Sequence, residues 1–451
     1  MSKIILCYPK LEKDVSHHWF PYSILSIAIN LSEKGHEVVI LDKRVEEKFY
    51  EKLSVSIKEA LCVGISAMSG YQIKDGLEIA RFVRRVAKDL RIIWGGWHAT
   101  ILPEETLEHE LVDFIVAGRG HDIFTQLVHK FETRKNDFGN IKGLGFKLKG
   151  KTYFTGYSQS GEIIDNALMY DRFIVPDKYR NPETNAVGYF SAHGCVFKCA
   201  FCSRHFMTHT YYHLELNKVL QDIKYFVYNQ GFRTVYFQDD TFFINKNRVM
   251  QLCRALIRNK LNIQWKANAR ANSLIDYSSE ELGLLVDSGL FSLFIGAESG
   301  DQKLLNMMNK QIQVNDVVKS AEIIRQYDIQ LQLSYIVGLP GDKPAYLRKT
   351  NDQIKHILDI NQNVCFQICF YQPFPGTTLY QKALSIGYPR IKGLENWAEM
   401  KPQYKITERL CELHRFPWLS ENEMGKYEKL LVELLENRSR LEALTNRKTN
   451  K

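Results

Sequence analysis

Three cysteines, Cys195, Cys199 and Cys202, stand close together directly after a short apolar run that is typical of a strand. Their spacing, Cys-x3-Cys-x2-Cys, offers three thiolates, which suit three corners of a 4Fe–4S cube and leave one iron without a protein ligand. A metal with an open position can bind a substrate. Structural zinc fits less well, because it usually takes four ligands in two close pairs and would have to recruit His193 or His205. A chance grouping of buried thiols is a further alternative.

The remaining cysteines are scattered, as small core residues are: Cys7, Cys62, Cys253, Cys365, Cys369 and Cys411. Nine cysteines without a regular framework argue against disulfides, so we expect a reducing cytoplasm, which an oxygen-sensitive cluster would also need. Cys365 and Cys369 alternate with Gln367 along a predicted strand, so they share a face. A second metal site there stays open as an alternative.

The elements before the cysteine loop predict a parallel sheet. Apolar runs typical of buried strands alternate with helical patterns: strands at 3–7, 37–41, 62–66, 91–94 and 113–117, helices at 21–34 and 76–90. Such alternation predicts a parallel sheet covered on both faces, and ligands of these sheets bind beyond the carboxyl ends of the strands. Gly95, Gly96 and Gly118 lie at those ends.

The elements around and after the cysteine loop predict a partial barrel. A hairpin at 143–155 and a linker precede a strand at 187–190, and further strands follow at 234–238, 264–268, 293–297, 330–337 and 364–371. With helices between them, for example at 279–288 and 314–327, they form about six β/α units. We therefore predict an α/β protein with four parts: a Rossmann-like sheet domain (1–140), a linker with a small hairpin (141–185), a partial (β/α)6 TIM-type barrel (186–385) and a helical region (386–451).

The C-terminal region is expected to hold one long helix. Ser420 and Glu423 have the spacing of a capping box. After them, apolar residues at helical spacing form one stripe: Met424, Tyr427, Leu430, Leu431, Leu434, Leu441 and Leu444. Such a stripe is more often core than interface.

Composition limits the partners. Lys and Arg number 60 and Asp and Glu 51 in 451 residues, a net charge of +9 that fits a solvated basic surface or an anionic ligand. No run of apolar residues is long enough to span a membrane, and no signal peptide is evident. No basic stripe interleaved with aromatic residues indicates nucleic acid.

The cysteine loop, with Phe201 before its last cysteine, resembles the signature of the radical S-adenosylmethionine (SAM) superfamily. Five later segments resemble that family in the same order: residues 236–242 (YFQDDTF), 265–270 (WKANAR), 294–300 (FIGAESG), 336–341 (IVGLPG) and 373–377 (PFPGT). The resemblance covers nearly the whole chain. It implies that the three thiolates hold a 4Fe–4S cluster and that SAM chelates the fourth iron. Cleavage of SAM would then yield a 5′-deoxyadenosyl radical that abstracts hydrogen from a substrate.

The same resemblance assigns cofactor contacts. Phe201 would pack near the adenine, Asp239 and Asp240 would lie near the amino group of SAM, and Gly296 with Glu298 would line the nucleoside. The alternative for the three acids is structural, because acids at strand ends often cap the next helix.

The front region resembles the cobalamin-binding domain that precedes many radical SAM enzymes. The matching segments are residues 8–9, the helix at 21–34, and residues 35–38, 41–42, 94–98 and 102–105. Gly95, Gly96 and Gly118 would let the backbone approach cobalamin, while Asp42 would accept from a ligand hydroxyl or cap the following segment.

The front region also departs from that pattern. The DxHxxG motif that supplies a cobalt ligand elsewhere is absent, since residues 14–18 (DVSHH) have the wrong spacing. Its absence is usual in the radical SAM branch. The acidic GEGE of the family is here residues 118–121 (GRGH), which puts the ligand site in doubt. A domain kept only for architecture is the alternative.

The leading hypothesis is a cobalamin-dependent radical SAM methyltransferase that acts on a small molecule or natural product and draws electrons from a donor such as flavodoxin or ferredoxin. A cobalamin-independent dehydratase, epimerase or cyclase is the alternative within the superfamily. A methylthiotransferase that acts on RNA lacks support, because only Cys7 and Cys62 lie up front, where that family has three extra cysteines. A non-enzymatic iron–sulfur or zinc module is the last alternative.

Overall fold

The structure is a computed structural model that describes residues 2–11, 19–158, 167–204, 211–400 and 416–449, with side chains described up to residue 436. The residues of the DVSHH segment, His205 and Cys411 lie outside the described residues, as do the side chains of Leu441 and Leu444. Among the helices that the structure describes, none has the length and apolar character needed to cross a bilayer.

The N-terminal part is built on one seven-stranded sheet. Its elements in chain order are β1 (Lys3–Tyr8), α1 (Tyr22–Glu33), β2 (Glu37–Asp42), α2 (Phe49–Ile57), β3 (Ala60–Ser66), α3 (Tyr71–Val86), β4 (Arg91–Gly95), α4 (Trp97–Ile101), α5 (Pro103–Glu108), β5 (Phe114–Val116), α6 (Gly120–Glu132), β6 (Leu144–Leu148) and β7 (Lys151–Phe154). The strand order is β2-β1-β3-β4-β5-β6-β7, and β1 to β5 are parallel. The predicted parallel sheet is confirmed.

Two local expectations need correction. The hairpin that we expected in a linker forms the edge of this sheet, because β6 pairs antiparallel with β5. Helix α3 begins at Tyr71, after Gly70 at φ +94°, rather than at Gly76. Gly76 lies inside the helix, where a Cβ would come within 2.9 Å of the Trp94 ring, so glycine lets α3 pack closely on β4.

The second part is an open barrel of six parallel strands. Its elements are β8 (Ala186–Tyr189), β9 (Ala192–His193), β10 (Tyr212–His213), α7 (Leu216–Lys224), β11 (Thr234–Phe237), α8 (Lys246–Arg258), β12 (Gln264–Ala269), α9 (Ser279–Asp287), β13 (Leu290–Glu298), α10 (Gln302–Met307), α11 (Val314–Ile324), β14 (Gln330–Val337), α12 (Pro344–Ile360), β15 (Val364–Phe370), α13 (Thr378–Ser385), α14 (Leu394–Ala398) and α15 (Glu421–Thr449). The sheet order β15-β14-β13-β12-β11-β8 follows the chain, and every pair is parallel. This matches the predicted partial barrel.

The C-terminal region contacts both parts. Trp397 of α14 is 1% exposed and packs in the core of the N-terminal domain, where its Nε1 donates to Glu105 at 2.9 Å. Helix α15 packs against α12 of the barrel instead, and its Tyr427 hydroxyl donates to Asp342 at 2.5 Å. The predicted capping box forms ahead of α15, since Glu423 N donates to Ser420 Oγ at 3.4 Å and Ser420 N to the Glu423 carboxylate at 3.0 Å. The domain boundaries after residues 140, 185 and 385 stay predictions.

Candidate cofactor site between the two domains

The cysteine loop lies at the carboxyl end of the barrel strands and is anchored by its backbone. Ala200 N donates to the carbonyl of Met308 at 2.8 Å, and Leu379 N donates to the carbonyl of Ala200 at 3.0 Å. Asn309 also donates to the carbonyl of Lys198, at 2.8 Å. The middle of the loop, which includes Cys199, is therefore held by segments that follow β13 and β15.

The three thiols are half-buried and in one loop. Cys195 Sγ lies 3.5 Å from Thr241 Oγ1, and Cys202 N donates to the Cys199 carbonyl at 3.1 Å. Burial raises the pKa of Cys202 to about 11, so a positive metal is needed to hold this sulfur as thiolate.

These thiols fit a cluster better than a single ion. In the described residues, no three His, Cys, Asp or Glu side chains converge to hold one metal ion. A cubane does not need such convergence, because each of its irons takes its own thiolate. A zinc ion held by His193 and the cysteines would need its ligands around one point.

Glu298 and Gly296 lie together above the barrel, beside a cation that sequence reasoning missed. Glu298 Oε1 accepts from Lys310 Nζ at 2.5 Å, and the two residues are 6% and 7% exposed. A Cβ at Gly296 would lie 2.2 Å from that oxygen, so a side chain there would displace the pair from this position. Lys310 Nζ is also 5.9 Å from the centroid of the Phe201 ring, which brings the three predicted residues into one neighbourhood.

Arg270 adds a second buried cation behind the loop. Its guanidinium lies 3.7 Å from the centroid of the Phe197 ring and donates to the carbonyl of Lys310. Nothing in the local sequence marked Lys310, because its partner is 12 residues away across a turn and a helix.

Asp239 and Asp240 play different parts. Asp239 is 1% exposed and accepts from Ser191 N and Ser191 Oγ, both at 2.6 Å. Burial raises its pKa to about 6. It thus fixes the turn between β8 and β9 that leads to the cysteine loop, which is a structural role, and its contact with SAM stays a prediction. Asp240 pairs with Arg204 Nε at 2.7 Å and lines a cavity.

That cavity lies between the two domains and measures about 250 Å³. From the N-terminal sheet it is lined by all three predicted glycines, Gly95, Gly96 and Gly118. Gly96 and Gly118 both have φ +87°, and a Cβ on Gly118 would meet nothing within 4 Å. The Gly118 turn thus presents bare backbone to open space, which suits the approach of a large flat group, whereas Gly96 is needed because a Cβ there would lie 2.8 Å from the Ala67 carbonyl oxygen. From the barrel side the wall is completed by residues that flank the cysteine loop: Phe190, His193, Gly194, Arg204 and Asp240.

The charges in this wall are mainly positive. Arg119 and Arg204 both line the cavity, with Asp240 as the acidic residue. The His193 ring stacks on Phe190, with centroids 5.1 Å apart and planes at 12°. Burial, helped by the two arginines, lowers the pKa of His193 to about 4, so this imidazole is neutral at pH 7. An anionic portion of a ligand, such as a phosphodiester, would be favoured here.

Asp42 does not reach the cavity. Its carboxylate accepts from Arg44 Nε at 2.9 Å and from Arg44 Nη2 at 2.6 Å, and the Tyr179 hydroxyl donates to it at 3.0 Å. Arg44 N also donates to it at 3.0 Å, which is the capping role that we had as the alternative. Buried partners already use this carboxylate, so its contacts favour the capping role, and the ligand contact stays a prediction.

Comparison with known proteins finds a match for the barrel and another for the N-terminal domain. Residues 189–354 match the model of the radical SAM superfamily, and residues 13–128 match that of the B12 binding domain. An uncharacterized methyltransferase of Pyrococcus horikoshii is 24% identical over 437 residues, 93% of this chain and 92% of that protein. The anaerobic magnesium-protoporphyrin IX monomethyl ester cyclase of Rubrivivax gelatinosus is 24% identical over 397 residues, 84% of this chain and 70% of that protein.

Solved structures share the fold. The radical SAM methyltransferase TsrM of Kitasatospora setae, with cobalamin and a 4Fe–4S cluster bound, has a TM-score of 0.69 at 17% identity, covering 86% of this chain and 75% of its own. The cobalamin-dependent radical SAM enzyme OxsB has a TM-score of 0.65 at 16% identity, covering 85% of this chain and 55% of its own. Both share the fold over most of this chain.

Proposed function

We propose that this chain, whose residues 189–354 match the radical SAM superfamily and whose residues 13–128 match the B12 binding domain, is a cobalamin-dependent methyltransferase acting on a small molecule. The cavity between the domains carries the proposal. Its wall combines glycine turns of the B12-binding sheet with residues that flank the cysteine loop. A group held by one domain would therefore face a group held by the other, as methyl transfer between two cofactors and a substrate requires.

When bound, the cluster with SAM supplies hydrogen abstraction, and cobalamin supplies a methyl group. The residues of the chain bind and orient these groups. Cys195, Cys199 and Cys202 would hold three irons and leave the fourth open for SAM. Gly95, Gly96 and Gly118 would let the backbone approach the corrin.

The charged residues would orient the cofactors. Arg119 and Arg204 favour an anionic part of cobalamin in the cavity, and neutral His193 presents a flat ring without adding charge. The Glu298–Lys310 pair lies beside Phe201 at the carboxyl ends of the strands, where it would line the nucleoside of SAM. Enclosure between two domains would exclude water from the reacting groups.

A radical SAM enzyme also needs a substrate and a reductant. We infer an external one-electron donor of the flavodoxin or ferredoxin type, because the cysteines besides the loop lie apart in the described residues and form no second three-ligand group.

Anaerobic reconstitution tests the proposal. The protein is loaded with iron and sulfide, mixed with hydroxocobalamin, passed over gel filtration and assayed with SAM and dithionite for 5′-deoxyadenosine. We expect cluster absorption, co-eluting cobalamin and deoxyadenosine. Cys199→Ser should lose the cluster and the product, whereas Cys253→Ala, which changes a buried thiol far along the chain from the loop, should keep both.

The negative outcomes differ in meaning. A wild-type protein that binds no cluster and forms no deoxyadenosine would refute the radical mechanism. A protein that cleaves SAM but never retains cobalamin would refute methyl transfer through cobalamin and would favour a dehydratase, epimerase or cyclase.

A further inference from the structure

The lumen of the open barrel carries polar residues among apolar ones. Along β12 the residues Trp265, Ala267 and Ala269 are buried in the core under the helices, so the alternate residues Lys266 and Asn268 face the lumen. Strands β14 and β15 show the same alternation, with Gln332, Ser334 and Gln367 on the half-buried face. A packed barrel core would carry branched apolar residues at these positions. These polar residues are half-buried and not closed off, so they are accessible to a polar molecule.

Lys266 is the unusual residue of this lining. It is half-buried, and its Nζ lies 3.7 Å from the centroid of the Tyr236 ring on the neighbouring strand. Within the described ranges, no carboxylate pairs with it and no hydrogen bond reaches its ammonium group. By contrast, Lys310 and Lys43 have carboxylates at 2.5 and 2.6 Å.

The contact with Tyr236 does not account for this cation. A cation–π contact supplies neither a counter-charge nor a hydrogen-bond acceptor, so it gives the half-buried ammonium group only part of what water or an anion would give. Burial accordingly lowers the pKa of Lys266. Ser292, in register with Lys266 on β13, is fully buried with an Oγ that has no hydrogen-bond partner in the described part of the chain. Two neighbouring polar groups in the lumen are thus left for a ligand.

An aromatic wall stands beside this pair. Trp19, which precedes α1, lies with its ring centroid 5.2 Å from that of Tyr236. It packs on Gly188 of β8, where a Cβ would come within 3.1 Å of its ring. Arg44 holds the Trp19 carbonyl at 2.9 Å, so the N-terminal domain supplies this part of the wall.

We propose that Lys266 anchors an oxyanion of the substrate, a carboxylate or a phosphate, with Ser292 as a second donor and Trp19 and Tyr236 against the hydrocarbon part. Lys266 is followed by three residues of β12, about 10 Å along the strand. The reacting carbon of the substrate would lie within that span of its anion, toward the cysteine loop. This inference rests on the proposed function and names its substrate class as a small organic anion.

Anion-dependent stability of the holoenzyme tests the anchor. The protein loaded with cluster, cobalamin and SAM, so that the cavity cations are occupied, is unfolded thermally in phosphate, acetate or chloride at equal ionic strength. We expect phosphate or acetate at about 50 mM to raise the midpoint by about 2 °C over chloride. The larger shift identifies the class of oxyanion. Lys266→Met should abolish the shift, whereas Lys319→Met, at an exposed helical lysine, should keep it.

A second measurement needs no variant. Trace acetylation of wild-type protein with acetic anhydride, read by mass spectrometry, should label Lys266 several-fold less in phosphate than in chloride, with Lys319 unchanged. An anion shift that persists in Lys266→Met, or no shift and no protection in wild type, overturns the anchor. Neither result touches the proposed function, because deoxyadenosine formation by the wild-type protein is scored separately.

Discussion

The ammonium of Lys310 lies 2.5 Å from the carboxylate of Glu298, and both residues are more than nine-tenths buried. Glu298 reaches this position with φ +61°, immediately after an irregularity in β13. The ammonium of Lys310 also lies 5.9 Å from the centroid of the Phe201 ring. Two opposite charges are thus held out of water at the mouth of the barrel, where each depends on the other.

Breaking this pair should destabilise the barrel. Lys310→Met leaves the Glu298 carboxylate buried without its partner, and we expect a loss of about 3–5 kcal/mol in the free energy of unfolding. The double variant Glu298→Gln with Lys310→Met should lose less free energy of unfolding than the sum of the two single variants, because it leaves no buried charge without a partner. Denaturant unfolding of the apoprotein measures this. Lys303→Met, at an exposed lysine nearby, is the control, and additive single effects would contradict the prediction.

A side chain on Gly118 should block cobalamin. Gly118→Leu projects into space free of protein atoms in the cavity wall. Gly35 offers a matched control, because it has φ +86°, also has nothing within 4 Å, and lies outside the cavity lining. Both leucines should cost about 1–2 kcal/mol for the left-handed backbone. Only Gly118→Leu should lower the cobalamin retained after gel filtration, by about tenfold or more, which is about 1.4 kcal/mol. Equal retention by the two variants would place the corrin elsewhere.

Variants of Asp42 and Asp240 should separate a loss of stability from a loss of cobalamin binding. Asp42→Asn weakens a buried pair with Arg44, so it should lower the thermal midpoint by several degrees while the folded protein retains cobalamin normally. Asp240→Asn alters the cavity wall beside Arg204 and should reduce retention several-fold. Thermal unfolding gives the midpoint of each variant. The absorption of the folded fraction after gel filtration gives the cobalamin that each variant retains. A loss of retention in Asp42→Asn alone would restore the ligand contact that the structure argues against.

His98 should make stability depend on pH. It is 1% exposed, its Nδ1 lies 2.8 Å from Ser69 Oγ, and its ring is 5.7 Å from that of Trp397. Burial lowers the pKa of His98 to about 3. Because the unfolded chain takes up this proton near pH 6.5 and the folded chain does not, stability is lost as pH falls through the range from 6.5 toward 3.

The expected loss is about 2 kcal/mol at pH 5. His98→Gln removes the titrating group, so the difference in unfolding midpoint between wild type and variant should shrink steadily between pH 7 and pH 5. Trp397→Phe, which keeps an aromatic ring and the titrating His98, serves as the control and should retain the acid sensitivity. A parallel pH response of wild type and His98→Gln would exclude His98 as its source.

The cysteine loop and the order of the strands could be predicted from sequence because both depend on local patterns. Three thiolates within one loop specify a cluster by spacing alone, and apolar runs that alternate with helical patterns specify parallel β/α units. The glycines at the ends of β4 and β5 could be identified for the same reason, since the end of a parallel strand is visible in the chain.

Tertiary structure alone decided what each charged side chain does. Asp42 has a strand-end position like that of Asp240, yet Arg44 and Tyr179 bury it while Asp240 faces the cavity. The hairpin joins the first sheet because the edge of β5 is available for pairing. Trp397 donates a hydrogen bond to Glu105, which lies 292 residues earlier in the chain. Such partners are set by which surfaces meet when distant segments pack. Among the residues that the structure describes, the same packing leaves Lys266 without a carboxylate partner in the barrel lumen, which no spacing in the sequence reveals.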